Sequence, residues 1–244
     1  MCGMMEMNCS SKIITIKASS SGKAYTAYRV FERADGKRLV FYPVPKNANS
    51  SFKLLFSQVS KDAGQFMFFD DEVPMSKKEF YDKHHKNGQW LWNFLPSKPA
   101  FFRFPDSFQL TKIAVVRDPY ERFVSAYNNR ILWHKDEAFG GLCIEAIIER
   151  LDAGDFANRH FLPQTYFLGN DPNYFNAISK MPSLDGMVNY INEYFGTEHN
   201  LDKIQTRHGT GSVNLDQVSE FRGALRKIYA SDFAFIKAIG TNLI

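Results

Sequence analysis

The chain has 244 residues, of which 44% are hydrophobic and 23% charged, and its formal net charge is +4. This length and composition exclude a disordered or fibrous protein and predict a globular protein with a sizeable core. The mild positive charge favours an anionic ligand but is too small to predict nucleic-acid binding by itself.

The sequence carries no evident targeting segment. No apolar run approaches the roughly 18 residues that a membrane span requires, and the first residues lack a basic region followed by an apolar one. The three cysteines, Cys2, Cys9 and Cys143, have neither CxxC nor metal-ligand spacing, which favours a reducing compartment. We therefore expect a cytoplasmic protein with no membrane span and no metal site.

Strands are predicted at three places along the chain. Residues 38–44, RLVFYPV, are dense in β-forming residues and lie between Gly36 and Pro45. AFFRF at 100–104 and KIAVV at 112–116 are the second and third candidates.

Two helices are predicted directly after strands. In SSFKLLFSQV the apolar residues recur at i, i+3, i+4 and i+7, and Asn49 or Ser50 is a suitable N-cap. After KIAVV, Asp118 is an N-cap, Pro119 takes the first helical position and Glu121 completes a capping box. The apolar side of this second helix consists of Phe123, Ala126 and Tyr127.

Further helices are predicted towards the end of the chain. IEAIIERL and SLDGMVNYINEYF are helical by pattern, and NLDQVSEFRGALRKIYASDFAFI forms one or two more, with Asn214 and Gln217 as a capping box. Residues 25–244 contain no repeat or linker and predict one domain. Residues 1–24 predict a loose segment or an edge strand, and 61–98 is a polar and aromatic insertion with one helix beginning at Ser76.

A strand, a polar turn and a helix therefore follow one another twice. Such alternation predicts an α/β fold, with a central parallel sheet flanked by helices. Both turns would lie at the carboxyl edge of that sheet, where helix N-termini bind anions.

The first turn, residues 45–50 with the sequence PKNANS, has the chemistry of an anion site. Lys46 supplies a charge, while Ser50 and Ser51 add hydroxyls at the start of the helix. It is not a Walker A loop, since it contains no glycine and its lysine comes first. A plain turn with a solvated lysine explains the local sequence equally well.

The second turn, Arg117 and Asp118, places an arginine at the end of a strand. Arg122 and Ser125 share a helix face, and an arginine fork with a serine hydroxyl suits a phosphate. In the simpler alternative, Arg117 and Arg122 form surface salt bridges with Asp118 and Glu121. Taken alone, the second turn favours that alternative.

Together, the two turns resemble the signatures of sulfotransferases that use 3′-phosphoadenosine 5′-phosphosulfate (PAPS), in particular carbohydrate sulfotransferases of the chondroitin, dermatan and HNK-1 type. The family's first signature resembles P-K-x-x-C-T-N-W-K, and residues 45–53 here have PKNANSSFK, with Ser50 for threonine and Phe52 for tryptophan. The second, R-D-P-F-E-R-L-V-S-A-Y, is similar to RDPYERFVSAY at residues 117–127.

The resemblance implies a P-loop-kinase-like sulfotransferase fold and a set of residues for the nucleotide. Lys46 and the hydroxyls of the first turn would hold the 5′-phosphosulfate, and Arg117 and Ser125 the 3′-phosphate. RHGTGS, residues 207–212, lies where the family has a loop near the nucleotide. The implied PAPS-binding residues are Lys46, Asn47, Ala48, Asn49, Ser50, Ser51, Arg117, Ser125, Arg207 and Gly211.

Two weaker matches follow. NRHFLPQTYFL resembles the family's H-W-x-P-Q segment, keeping His160, Pro163 and Gln164, and LRKIYASDFAFI resembles its closing I-Y-x-x-D-F pattern. Secreted members carry a cysteine shortly after H-W-x-P-Q, where this chain has Leu168 and Gly169, in agreement with a reducing location. The insertion 61–98 is not covered by any signature and is assigned to the acceptor side.

Transfer of a sulfuryl group to a hydroxyl needs a base and a cation for the leaving phosphate. Lys46 suits the second role and His160 is the first choice for the base, although a packing histidine is its alternative. His84 and His85 come second, although they could also lie on a solvated helix face. The remaining histidines are His134, His199 and His208.

The acceptor implied by the resemblance is a glycan, while lipids, small metabolites and tyrosine stay open. A P-loop-type nucleotide kinase is disfavoured, because no glycine-rich lysine loop or Mg²⁺-binding aspartate follows the first strand. A nucleotide- or RNA-binding module without activity is disfavoured by the lack of a dense Lys/Arg stripe. We therefore expect no nucleic-acid partner.

Overall fold

A computed structural model describes most of the chain, and five strands in it form one sheet in chain order. The described residues are 12–17, 27–33, 35–62, 101, 103–104, 106–201, 213–240 and 243–244. The strands are β1 Lys12–Lys17, β2 Ala27–Glu32, β3 Arg38–Tyr42, β4 Leu110–Val116 and β5 Ala177–Lys180.

The centre of the sheet is parallel, as predicted. Strand β4 pairs in parallel with β3 on one side and with β5 on the other. Strands β1 and β2 extend the sheet in antiparallel fashion beyond β3, so the run IITI forms an edge strand. Strand β2 was not predicted from the sequence, because Arg29 and Glu32 interrupt its apolar residues.

The strand predicted at 100–104 is wrong for the residues described there. Phe101, Arg103 and Phe104 lie in irregular structure. Phe104 is nevertheless buried, and its backbone N–H donates to the hydroxyl of Tyr174 at 2.8 Å. Burial of aromatic rings against the sheet therefore produced the apolar pattern that resembled a strand.

The helices of the described residues lie where the sequence pattern predicts them, except for the short helix Thr165–Leu168, which was not predicted. They are α1 Asn49–Asp62, α2 Pro119–Ala126, α3 Ile144–Asp152, α4 Thr165–Leu168, α5 Asp185–Phe195, α6 Arg222–Ile228 and α7 Ala230–Ala238. Helix α2 continues directly into a π-helix, Tyr127–Trp133, in which His134 N–H donates to the carbonyl of Asn129 at 3.0 Å.

Two predicted caps are observed. The carboxylate of Asp118 accepts the backbone N–H groups of Tyr120 and Glu121, at 2.9 and 3.2 Å. The amide groups of Asn214 and Gln217 bind each other's backbone N–H at 3.2 and 2.9 Å, which is a reciprocal capping box. It begins a 3-10 helix, Asp216–Phe221, that leads into α6.

Helices cover both faces of the sheet. Along β3, Leu39 and Phe41 belong to one buried cluster and Val40 and Tyr42 to another, as the alternation of side chains along a strand requires. Helices α1 and α5 pack on the first face, and α7 packs on the second with the segment before β5. A third cluster joins α2, the π-helix, α3 and α6.

Among the residues that the structure describes, no helix is long and apolar enough to cross a membrane.

Candidate functional site

The first turn has an unusual backbone for a sequence without glycine. Lys46 and Ala48 have φ angles of 71° and 54°, in the left-handed region that costs a non-glycine residue roughly 1–2 kcal/mol. Strain of this kind is found mainly at functional sites. The turn leads into α1, whose first backbone N–H groups have no acceptor within the helix and can bind an anion.

Asn47 anchors this turn to the protein interior through its side chain. Its side chain is fully buried and donates from Nδ2 to the carbonyl of Val115 at 2.8 Å and to Oε1 of Gln164 at 2.6 Å. Its backbone N–H donates to the carbonyl of Val44 at 3.3 Å. These bonds give Asn47 a structural role, and a contact with the nucleotide stays a prediction.

The second turn lies beside the first. Arg117 follows the last residue of β4 and donates from Nη1 to the backbone carbonyl of Lys46 at 3.3 Å. Its Nε pairs with Glu121 at 3.3 Å, so the salt-bridge alternative is correct for this arginine. The prediction that Lys46 and Arg117 lie at one edge of the sheet is confirmed.

Arg122 is not the surface group that the salt-bridge alternative required. Only 1% of it is exposed, and its Nε donates to the carbonyl of Pro45 at 3.1 Å. Burial lowers the pKa of Arg122, and the charge of Asp232 is the strongest influence opposing that shift. Arg122 therefore holds the first turn from inside the protein, while Ser125, one turn further along α2, is half-buried.

Gln164 connects the two turns through its side-chain amide. Oε1 accepts the backbone N–H of Arg117 at 2.9 Å as well as Nδ2 of Asn47 at 2.6 Å. Nε2 donates to the backbone carbonyl of Arg117 at 2.8 Å. The sequence match had included Gln164 without giving it a role, since nothing in a linear pattern shows which backbone groups an amide reaches.

Asp232 in turn holds the backbone at Gln164. One carboxylate oxygen accepts the N–H of Gln164 at 2.8 Å, and the other accepts the N–H of Thr165 at 2.9 Å and its hydroxyl at 3.1 Å. Burial raises the pKa of Asp232, while the charge of Arg122 and these hydrogen bonds lower it. The aspartate of the closing I-Y-x-x-D-F pattern is thus a structural residue.

His160 has one ring nitrogen committed to a neighbour. The Oδ1 atom of Asn158 accepts the backbone N–H of His160 at 3.0 Å and lies 2.9 Å from Nδ1 of its ring. The bond from the backbone N–H identifies this atom as the amide oxygen, which has no hydrogen and can only accept. Nδ1 of His160 must therefore be the donor and carries the proton in the neutral ring. Nε2 therefore carries the lone pair that a general base needs.

Several positive charges surround this histidine. Burial lowers the pKa of His160 well below 6.5, and the charges of Arg130, Arg159, Lys46 and Arg122 lower it further. The imidazole is therefore neutral at pH 7, which a proton acceptor requires. His160 lies four residues before Gln164, whose amide binds residues of both turns.

The other predicted site residues divide into three groups. Ala48, Asn49, Ser50 and Ser51 lie at the junction of the first turn and α1. Five of the predicted residues lie outside the described part of the chain: Arg207, Gly211, His84, His85 and His208. His134 is exposed at the end of the π-helix, and the backbone of His199 binds Asn192 of α5.

Comparison with known proteins agrees with this geometry. A family model described as "Sulfotransferase family" matches residues 29–235, which include both turns, His160, Gln164 and Asp232. Searches against curated proteins and against solved structures each found no match.

Proposed function

The chain belongs to the sulfotransferase family, whose members transfer a sulfuryl group from PAPS, and we propose that its acceptor is a hydroxyl group on a carbohydrate. PAPS, the substrate that supplies the sulfuryl group, carries one anionic group at the 5′ end and another at the 3′ end. We assign the first to the Lys46 turn and the second to Arg117 and Ser125.

The single observation that carries this assignment is the contact between the two turns. Arg117 reaches the carbonyl of Lys46 at 3.3 Å, so two sites for anions adjoin at the ends of neighbouring parallel strands. A nucleotide with phosphates at both ends fits such a pair. The left-handed Lys46 and Ala48 and the N-terminus of α1 supply the backbone side of the site.

We assign the reacting proton to His160. Its Nε2 accepts the proton of the acceptor hydroxyl while the hydroxyl oxygen bonds to sulfur and the bond from sulfur to the phosphate oxygen breaks. The electron pair of that bond stays on the phosphate oxygen, and the charge of Lys46 stabilises it. Neutral His160 and cationic Lys46 are the protonation states that these roles need.

The surroundings of His160 favour an acceptor with negative charge. Arg130 is paired with Asp136 at 2.6 Å, so we assign a carboxylate or sulfate on a sugar to Arg159, whose charge also lowers the pKa of this histidine.

We also propose a cytoplasmic location for the protein. Leu168 and Gly169 support it, because they stand where secreted relatives carry a cysteine.

Isothermal titration with 3′,5′-adenosine diphosphate (PAP), ATP and a short RNA tests the nucleotide site. We expect PAP alone to bind. Preference for ATP would support a nucleotide kinase, and preference for RNA a binding module.

Transfer of label from PAPS to panels of glycans, lipids, small metabolites and tyrosine peptides then tests the acceptor. Labelling confined to a non-glycan panel would overturn the carbohydrate proposal.

A further inference from the structure

We infer that Gln164 is a positioning residue, which fixes Arg117 against the first turn and thereby sets the spacing of the two anion sites. The inference rests on the proposed function of that site. Gln164 is 1% exposed, so it acts through the residues that it holds and makes no contact with a ligand itself.

The amide of Gln164 binds both polar groups of the same residue. It accepts the N–H of Arg117 at 2.9 Å and donates to the carbonyl of Arg117 at 2.8 Å. Bonds on both sides of one Cα fix the two peptide planes that flank it. The direction in which the Arg117 side chain leaves the end of β4 is therefore set by Gln164.

The same amide also holds the first turn. Oε1 accepts Nδ2 of Asn47 at 2.6 Å, and Asn47 lies between the two left-handed residues, Lys46 and Ala48. A strained backbone keeps its conformation only when its surroundings enforce it. Asn47 and Gln164 supply part of that enforcement, so one side chain supports residues of both anion sites.

Asp232 makes Gln164 rigid enough for this role. The carboxylate binds the N–H groups of two successive residues, Gln164 and Thr165, at 2.8 and 2.9 Å. The hydroxyl of Thr165 adds a bond to Asp232 at 3.1 Å and another to Ser231 at 2.8 Å. The base of the glutamine is thereby fixed to α7, a helix that packs on the sheet itself.

The functional consequence is preorganisation. If the two turns could move independently, PAP binding would have to order them, and this would weaken affinity. The loss should be larger for PAP than for AMP, because AMP lacks the 3′-phosphate that Arg117 is assigned to hold. A residue that merely stabilised the fold would not change the ratio of the two affinities.

Gln164→Met is the test variant, since it keeps the length of the side chain and removes all four hydrogen bonds of the amide, including the long one from Nε2 to Asp232 at 3.5 Å. We expect PAP affinity by isothermal titration to fall about tenfold or more, the equivalent of roughly one lost buried hydrogen bond. The affinity for AMP should fall less. In an Arg117→Ala background, Gln164→Met should cost much less PAP affinity, because the residue through which it acts is gone.

Gln217→Ala is the matched control. This glutamine also binds a backbone N–H, that of Asn214 at 2.9 Å, but it is exposed at the start of a 3-10 helix. PAP affinity should not change. Should Gln164→Met fail to fold, Gln164→Asn draws the amide back by one methylene, and PAP should again lose more affinity than AMP, while equal losses of the two would overturn the inference.

The outcomes separate the inference from the proposed function. Wild-type protein that does not bind PAP contradicts the proposed function. Wild-type protein that binds PAP, with a folded Gln164→Met variant that keeps both affinity and the PAP-to-AMP ratio, overturns the inference alone. Equal losses of PAP affinity in the wild-type and Arg117→Ala backgrounds would also overturn it.

Discussion

Arg117 and Lys46 are joined by a hydrogen bond from a guanidinium nitrogen to a backbone carbonyl, 3.3 Å long, although 71 residues separate them in the chain. The same guanidinium uses Nε for the pair with Glu121. These two hydrogen bonds fix the plane of the Arg117 guanidinium group. Its other terminal nitrogen, Nη2, has no hydrogen-bond partner among the described residues and is the one that remains for an anion.

Arg117→Ala should weaken PAP binding by a few kcal/mol, as expected for the loss of a charge-assisted hydrogen bond to a phosphate. AMP binding should hardly change. Glu121→Gln is the control, because it removes the ion pair and keeps the guanidinium. Equal losses of PAP and AMP affinity in Arg117→Ala, measured by titration, would show that the arginine is structural.

His160→Ala should lower turnover by about 10²–10⁴-fold, the usual contribution of a general base. PAP affinity should stay nearly unchanged, because the base contacts the acceptor. His134→Ala is the matched control, as its side chain is exposed, and His84→Ala and His85→Ala should do much less. Full turnover in His160→Ala would transfer the role to His84, His85 or a carboxylate.

The pH dependence of turnover should reflect the environment of His160. Because the pKa of His160 in the free protein lies well below 6.5, the neutral base persists into mildly acidic solution, and the acidic limb of the kcat/KM profile should lie below pH 6.5. A midpoint at or above 6.5 would contradict this assignment.

Folding stability should follow the same shift. Below pH 6.5 the unfolded chain binds a proton at His160 that the folded protein does not bind. Unfolding is therefore favoured as pH falls from 6.5 towards the lowered pKa. Urea midpoints at pH 7.5 and 5.5 should differ more for the wild type than for His160→Gln, and equal differences would count against the shift.

Asp232→Ala should reduce the free energy of unfolding by about 3–5 kcal/mol, because the buried N–H groups of Gln164 and Thr165 lose their acceptor, at about 1–3 kcal/mol each. It also removes the negative charge that most opposes the effect of burial on the pKa of Arg122. Asp152→Ala is the control, since Asp152 forms an exposed pair with Lys227 at 2.8 Å and should cost little. Urea unfolding of both variants checks the difference, and similar losses would contradict the structural role of Asp232.

Local signals in the sequence were sufficient for the two turns and the helices that follow them. Asp118, Pro119 and the spacing of apolar residues act over a few residues, so their effects appear in the structure as predicted. Contacts between segments that are distant in the chain could not be predicted from these local signals. The burial of Arg122 depends on Pro45 and Asp232, and the role of Gln164 depends on backbone atoms that no pattern of side chains records.

The unpredicted parts of the fold have the same origin. Phe104 is buried and Phe101 partly buried against the sheet, and this burial, not pairing with a strand, explains their resemblance to strand residues. Strand β2 contains charged residues that a pattern search rejects, although backbone hydrogen bonds with β1 and β3 form regardless of side-chain charge.

The π-helix at Tyr127–Trp133 makes this part of the chain sensitive to its length as well as to its side chains. Each residue of an α-helix advances by about 100°, and a π-helix accommodates one more residue in a turn. Deleting one residue between Tyr127 and Arg130 would let the segment close into an α-helix, whose residues each advance by a larger angle than those of the π-helix, and would move Arg130 from the direction in which it pairs with Asp136 at 2.6 Å. A single-codon deletion can thus displace one of the positive charges that lower the pKa of His160 while the arginine itself is retained.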